Sequence, residues 1–257
     1  MSNSSLLDVI IVGGGASGLA TATGLARQLW TAVVFTNETF RNARASHMHN
    51  FPTWDHQPPS AFRAKAKADL WPTEDGYFQA TDAEGRSWTA WKLVLAHGSE
   101  EKLPDIPGFA DCWAYGMCLF YDGCEARGLS PSSGVLCVGP HSGIPPIALH
   151  LPLQARRLTD KVTLYTNGNA DLAGKLEELL KQDKDAISGR IHVADRKIAK
   201  FERGTSHKSQ VVIHFEDRDN VEEGFIAHQP LSQAKGPFAE QLSLKLTPTG
   251  DIATTHP

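Results

Sequence analysis

The sequence predicts an α/β protein of Rossmann-like architecture, with two lobes, each layered ββα/βαβ in three layers. Three observations carry this. The first is the run Asp8-Val-Ile-Ile-Val12, apolar after its first residue, as in a parallel strand buried on both faces. The second is the spacing G-x-G-x-x-G, formed by Gly13, Gly15 and Gly18 directly after that run. The third is another strand–turn–helix–strand pattern at residues 134 to 166, GVLCVGPHSGIPPIALHLPLQARRLTDKVTLYT.

Taken in order, the glycine turn leads into an alanine- and leucine-rich helix from Leu19 to Leu29, then a strand at Ala32-Val-Val-Phe35. This is a βαβ unit with its glycines in place. Gly13 permits a tight turn, Gly15 lets a pyrophosphate approach the backbone, and Gly18 allows close helix–strand packing. The helix start presents free N–H groups that favour an anion. Residues 41 to 60 form a loop rich in His, Trp and Pro, followed by a helix over Ala61 to Leu70. GYFQATDAEGRSWTAWKLVLAHGS reads as a two-stranded hairpin and a third, buried strand ending at Ala96. LPDIPGF at 103–109 is a linker with two prolines, and a clear helix covers Asp171 to Gln182 among several strand-like runs. The expected organisation is a first nucleotide-type lobe over 1–110, a second over 111–225, and a return segment over 226–257.

Composition narrows the function. The chain has 257 residues, 41% hydrophobic and 21% charged, enough for a substantial core. A net charge of −4 without any Lys/Arg run argues against nucleic acid as a partner. No apolar run approaches the roughly 18 residues of a membrane span, and the start lacks a basic leader. Four cysteines, at 112, 118, 124 and 137, do not make a disulfide framework. A cytoplasmic protein is expected.

The stretch CLFYDGCEARG, residues 118 to 128, has the rhythm of a redox loop without its second sulfur. A dithiol would read Cys-x-x-Cys, but Tyr121 stands three places after Cys118, and Cys124 stands six away. A disulfide needs Cα atoms within about 7 Å, whereas six helical residues rise about 9 Å.

Several stretches carry a resemblance: DVIIVGGGASGLATATGLARQL, RNARASHMHNFPTWDH, AFRAKAKADL, DAEGRSWTAWKLVLA, LPDIPGF, CLFYDGCEARG and GPFAEQLSLKLTPTGDI. From about residue 8 to 252 the chain resembles the thioredoxin-reductase-like FAD oxidoreductases, especially fungal dithiol oxidases of the gliotoxin-forming type. The resemblance implies two interleaved lobes, FAD on the first, NADPH or an unused equivalent on the second, a redox disulfide and a homodimer.

Six departures stand against that pattern. The dithiol is incomplete. Thr36 stands where the family carries an acidic residue for the FAD ribose. Ala96-His97-Gly98 replaces the family's Ala-Thr-Gly turn. A strand-bearing segment after the helix ending at Leu70 is missing. The sequence closes at TPTGDIATTHP, before the family's closing Gly-Asp motif, as in a chain truncated at its C-terminus. The second glycine turn carries Pro140, Pro145 and Pro146, which remove backbone donors, and no arginine pair follows Tyr165.

The expectation is a vacated flavin site without cofactor, FAD being the alternative, and Gly13, Gly15 and Gly18 surviving as a structural turn. Tyr121, His97 and Asp122 are the expected catalytic residues. Arg41, His47, His49, Trp54, His56 and Cys118 are expected around the substrate. The His47, His49, Asp55 and His56 cluster lacks helical metal-ligand spacing, so no metal is expected. The resemblance to fungal secondary-metabolite enzymes then implies a redox-inactive cyclase or pericyclase, such as an intramolecular Diels–Alderase, on a small apolar unsaturated metabolite. The alternatives are an FAD-dependent thiol or dithiol oxidoreductase, and a non-catalytic pseudo-oxidoreductase that binds a ligand or a partner.

Overall fold

A computed structural model of the chain describes residues 6–48, 51, 53–68, 78–118, 131–139, 144–182 and 189–254. The chain divides into two compact units, Met1–Glu100 with Ser232–Pro257, and Glu101–Leu231.

The first unit opens with β1 (Leu6–Val12), α1 (Ala16–Ala26) and β2 (Ala32–Phe35). Then come α2 (Pro59–Ala68), β3 (Phe78–Thr81) and β4 (Ser87–Leu95). Its sheet has the order β2-β1-β4-β3, with β1 parallel to both β2 and β4 and β3 antiparallel to β4. β1 is covered on both faces, as its apolar run requires. Val9 and Ile11 pack with Ala22 of α1 on one side, while Ile10 packs with Ala90 on the other. Ile10 and Ile11 are fully buried, and each contributes about 1.5–3 kcal/mol by leaving water. At the mouth of β1, the Asp8 carboxylate accepts from the Thr31 N–H at 2.8 Å and hydroxyl at 2.6 Å.

One expectation fails here. The hairpin's second strand and the separate buried strand are a single nine-residue strand, β4. No turn residue interrupts SWTAWKLVL, so the pairing with β3 continues directly into the pairing with β1.

The segments β5 (Ser99–Lys102) and β14 (Leu231–Ala234) form a two-stranded ribbon. A short helix, α7 (Phe238–Gln241), follows.

The second unit carries α3 (Phe109–Cys112), β6 (Met117–Cys118) and β7 (Ser132–Leu136). Next are α4 (Pro145–Ala148), α5 (His150–Ala155), β8 (Lys161–Tyr165), α6 (Ala170–Gln182) and β9 (Ile191–Ala194). It ends with β10 (Ile198–Arg203), β11 (Val211–Phe215), β12 (Asn220–Glu223) and β13 (Ile226–Ala227). The parallel sheet runs β6-β13-β7-β8-β9, and β10-β11-β12 is an antiparallel layer. Val135 and Leu164 pack with Leu151 and Leu176 on the helical side, while Leu136 packs with Phe201, Ile213 and Phe109 on the other. The unit is thus three layers deep, in the Rossmann-like α/β class expected from the sequence.

The single helix expected after the second glycine turn is two short helices, α4 and α5, meeting at Leu149. Pro152 has no N–H for the carbonyl of Ala148, which breaks the hydrogen-bond ladder at that junction.

Candidate functional site

Because β1 is parallel to β2 and β4, three turns leave the first sheet side by side at its carboxyl edge. Val12 lies in register with Phe35 and Leu95. The Gly13 N–H donates to the Phe35 carbonyl at 2.8 Å and the Ala96 N–H donates to Val12 at 2.8 Å. This edge is where open α/β sheets bind ligands.

Gly13 has φ +121°, and a Cβ there would collide with the Ala96 carbonyl. At Gly18 a Cβ would collide with the Gly13 carbonyl. Gly15, the N-cap of α1, faces open space. The first intrahelical bond runs from Leu19 N–H to the Gly15 carbonyl at 3.0 Å, so the preceding N–H groups point out of the helix start.

His97 follows β4 directly. Its ring lies 5.2 Å from that of Phe238, tilted by 39°. Its Nδ1 is buried and makes no hydrogen bond. Burial lowers the His97 pKa below its ordinary value, and the Gly98 backbone acts in the opposite sense. The imidazole is therefore neutral near pH 7.

Two residues absent from the expected site tie this edge together. Lys235 donates its N–H to the Gly98 carbonyl at 3.1 Å, and its ammonium reaches Thr39 at the hydroxyl (2.6 Å) and the carbonyl (3.2 Å). It thereby links the turn after β4 to the loop after β2. Arg41 Nη1 donates to the Ser99 hydroxyl at 3.3 Å, close to His97 in sequence. Phe238 and Lys235 enter from far along the chain, and the only sequence signal for Phe238 is the stretch GPFAEQL.

The remaining expected residues are spread out. Trp54 packs edge-on against Phe62 at 5.7 Å, in a small apolar cluster with Leu19, Met48 and Phe51. His47 is half-buried in the same loop. His56 is exposed at φ +58°, its Nε2 3.4 Å from the Asp55 carboxylate, and its N–H donates to Met48 at 2.8 Å. His49, Tyr121, Asp122 and Cys124 lie outside the described residues. Cys118 belongs to the second unit, where its backbone ends β6.

Two other thiols are inert. Burial pushes Cys112 up to about 11 and Cys137 up to about 12. Among the described residues no three His, Cys, Asp or Glu side chains converge as metal ligands, and no helix is long and apolar enough to cross a membrane.

The family model for pyridine nucleotide-disulphide oxidoreductases matches residues 7–139. The chain belongs to this family. Among its relatives, it is 38% identical to thioredoxin reductase aclD of Aspergillus oryzae, over 98% of this chain and 83% of that protein. It is 37% identical to thioredoxin reductase tcpT of Claviceps purpurea, over 100% of this chain and 84% of that one. The crystal structure of HlmI superposes with a TM-score of 0.75 at 23% identity, covering 97% of this chain and 80% of that one. A putative thioredoxin reductase TrxB from Bacillus anthracis gives a TM-score of 0.75 at 20% identity, over 95% and 82%. The scaffold of this pyridine nucleotide-disulphide oxidoreductase member is thus thioredoxin-reductase-like, with a fungal branch among its relatives.

This family is of a flavin-binding type, and the present residues fit only part of FAD. The open face at Gly15 suits a pyrophosphate. The ribose position does not fit. Thr36 Oγ1 accepts from the Glu38 N–H at 3.2 Å, and Asn37 Oδ1 accepts from Thr39, so both side chains are engaged locally and neither is acidic. The turn after β4 carries a bulky imidazole already packed on Phe238.

Proposed function

We propose that this member is redox-inactive and acts as a cofactor-independent cyclase or pericyclase. Its substrate is a small, apolar, unsaturated metabolite folded at the carboxyl edge of the first sheet. The observation that carries this reading is His97, a neutral imidazole held against Phe238 with a buried, unused nitrogen. In its Nε2–H tautomer, which leaves the sealed Nδ1 without a hydrogen, it donates to a substrate carbonyl. In a dry setting that bond stabilises charge developing on the oxygen. Intramolecular cycloaddition otherwise needs only a restricted, reactive conformation, which shape supplies. Arg41, which donates to the Ser99 hydroxyl, flanks His97 in the first unit, and the expected Tyr121 and Asp122 lie outside the described residues.

A second reading is an FAD-dependent thiol or dithiol oxidoreductase. The open face at Gly15 and the exposed start of α1 favour it. One experiment separates the two. The freshly purified protein is scanned for the absorbance bands of oxidised flavin, then scanned again after incubation with FAD and gel filtration. No bands in either scan, together with loss of cyclisation of a polyene panel in His97→Ala, is the expected result. Stoichiometric flavin in either scan returns the chain to the oxidoreductases.

A further inference from the structure

The second unit contains a cavity that the first-unit reading does not use. Its volume is about 360 Å³, at the small end of the range for sites that hold small molecules, roughly 300–1,000 Å³. It opens at the carboxyl edge of the parallel sheet, where the segments following β7, β8 and β13 emerge together. Ile106, Val138 and Pro230 contribute apolar lining, and Lys102 and Asn167 contribute polar lining.

The buried wall is His228, only 1% exposed. Its Nδ1 lies 2.9 Å from the Leu136 carbonyl, and its ring meets Phe109 edge-on at 5.4 Å. A carbonyl only accepts, so Nδ1 carries the hydrogen. Burial holds the ring neutral, with its pKa lowered to about 4. The tautomer is therefore fixed, and Nε2 is a bare acceptor. Among the described residues Nε2 has no hydrogen-bond partner, and it is not a sealed orphan atom either. His228 itself lines the cavity.

A dinucleotide does not suit this site. The turn after β8, Thr166-Asn-Gly, carries no arginine, and Asn167 Oδ1 is already engaged by the Ile198 N–H at 2.9 Å. The space is small, the walls are largely apolar, and the buried polar group accepts rather than donates.

We propose that this cavity binds a compact aromatic molecule bearing a single hydroxyl or N–H donor, which His228 Nε2 accepts. The site is independent of the first-unit reading.

The test uses the full chain and three probes, 2-naphthol, its methyl ether and NADPH, with binding followed by calorimetry. 2-Naphthol should bind about tenfold more tightly than the ether, the size of one buried hydrogen bond. Leu231→Trp, which reduces the cavity from another lining position, should weaken 2-naphthol by more than about tenfold. His228→Phe, if folded, should equalise the two naphthalenes. Failure of 2-naphthol to bind, equal affinity for both naphthalenes in the unmodified protein, no effect of Leu231→Trp, or displacement of 2-naphthol by NADPH would each overturn the proposal.

Discussion

The Tyr165 phenol donates a 2.5 Å hydrogen bond to Glu223, and both side chains are buried in the second unit. The other carboxyl oxygen, Glu223 Oε2, is buried without a hydrogen bond. Burial raises the Glu223 pKa above its ordinary 4.5. The folded chain therefore keeps this proton to higher pH than the unfolded chain does. Stability from this group is fully present below pH 4.5 and is lost as pH rises through the raised value. Glu223→Gln keeps an acceptor for Tyr165 and removes the buried charge. Its melting temperature should exceed that of the unmodified protein by a margin that grows from pH 5 to pH 8. Parallel melting-temperature profiles would refute the assignment.

His228 acts in the opposite sense. Burial holds its pKa at about 4, against an ordinary 6.5, so the unfolded chain takes up the proton first. Its contribution is complete above about pH 6.5 and is lost toward pH 4, at about 1.4 kcal/mol per pH unit. Urea titrations of His228→Gln should show a flatter acid limb than the unmodified protein.

Thr31 is 3% exposed, and Asp8 accepts both its hydroxyl and its N–H. Thr31→Val keeps the shape, removes the hydroxyl and leaves the carboxylate half-satisfied. The expected loss is about 2 kcal/mol, read as a lower denaturation midpoint with an unchanged slope.

The glycines of the first turn should separate cleanly. Gly13→Ala places a Cβ against the Ala96 carbonyl at φ +121° and should cost about 3 kcal/mol or more, or abolish folding. Gly15→Ala meets open space and should shift stability by less than about 1 kcal/mol. Thermal melts of the pair give the comparison.

Cys112 and Cys137, with thiols pushed up to about 11 and about 12, should resist iodoacetamide at pH 8 in the native protein and react fully in denaturant. Peptide mapping by mass spectrometry reads this directly. Rapid native labelling of either residue would contradict its burial.

The first βαβ unit was legible because its signals are local. The apolar run, the glycine spacing and the next strand lie within one short stretch, and each maps to an element. The division of the β4 region into two strands failed because alternation and continuous apolarity meet inside SWTAWKLVL, where one strand changes from half-covered to buried. The broken helix at Leu149 was missed because the apolar pattern favours continuity, and Pro152 interrupts the backbone ladder without interrupting that pattern. The site was half legible. His97 was marked by its place after a strand, whereas its contact with Phe238 and the bridge made by Lys235 are tertiary, and no spacing rule reports them. Likewise, nothing adjacent to His228 in the chain announces that its Nδ1 meets Leu136.

The two-residue strand β13 has a consequence for how the chain is made. Ile226 pairs with Met117 on one side and Gly134 on the other, so β13 is the wedge that joins β6 to the rest of its sheet. Emerging from the ribosome, β7, β8 and β9 are available well before it. β6 cannot join them until residue 227 has cleared the exit tunnel. During that interval the nascent second unit presents an unpaired edge at β7, the kind of surface that recruits chaperones or neighbouring chains. The time taken to synthesise a stretch as long as that separating β7 from β13 thus sets how long this unit remains vulnerable.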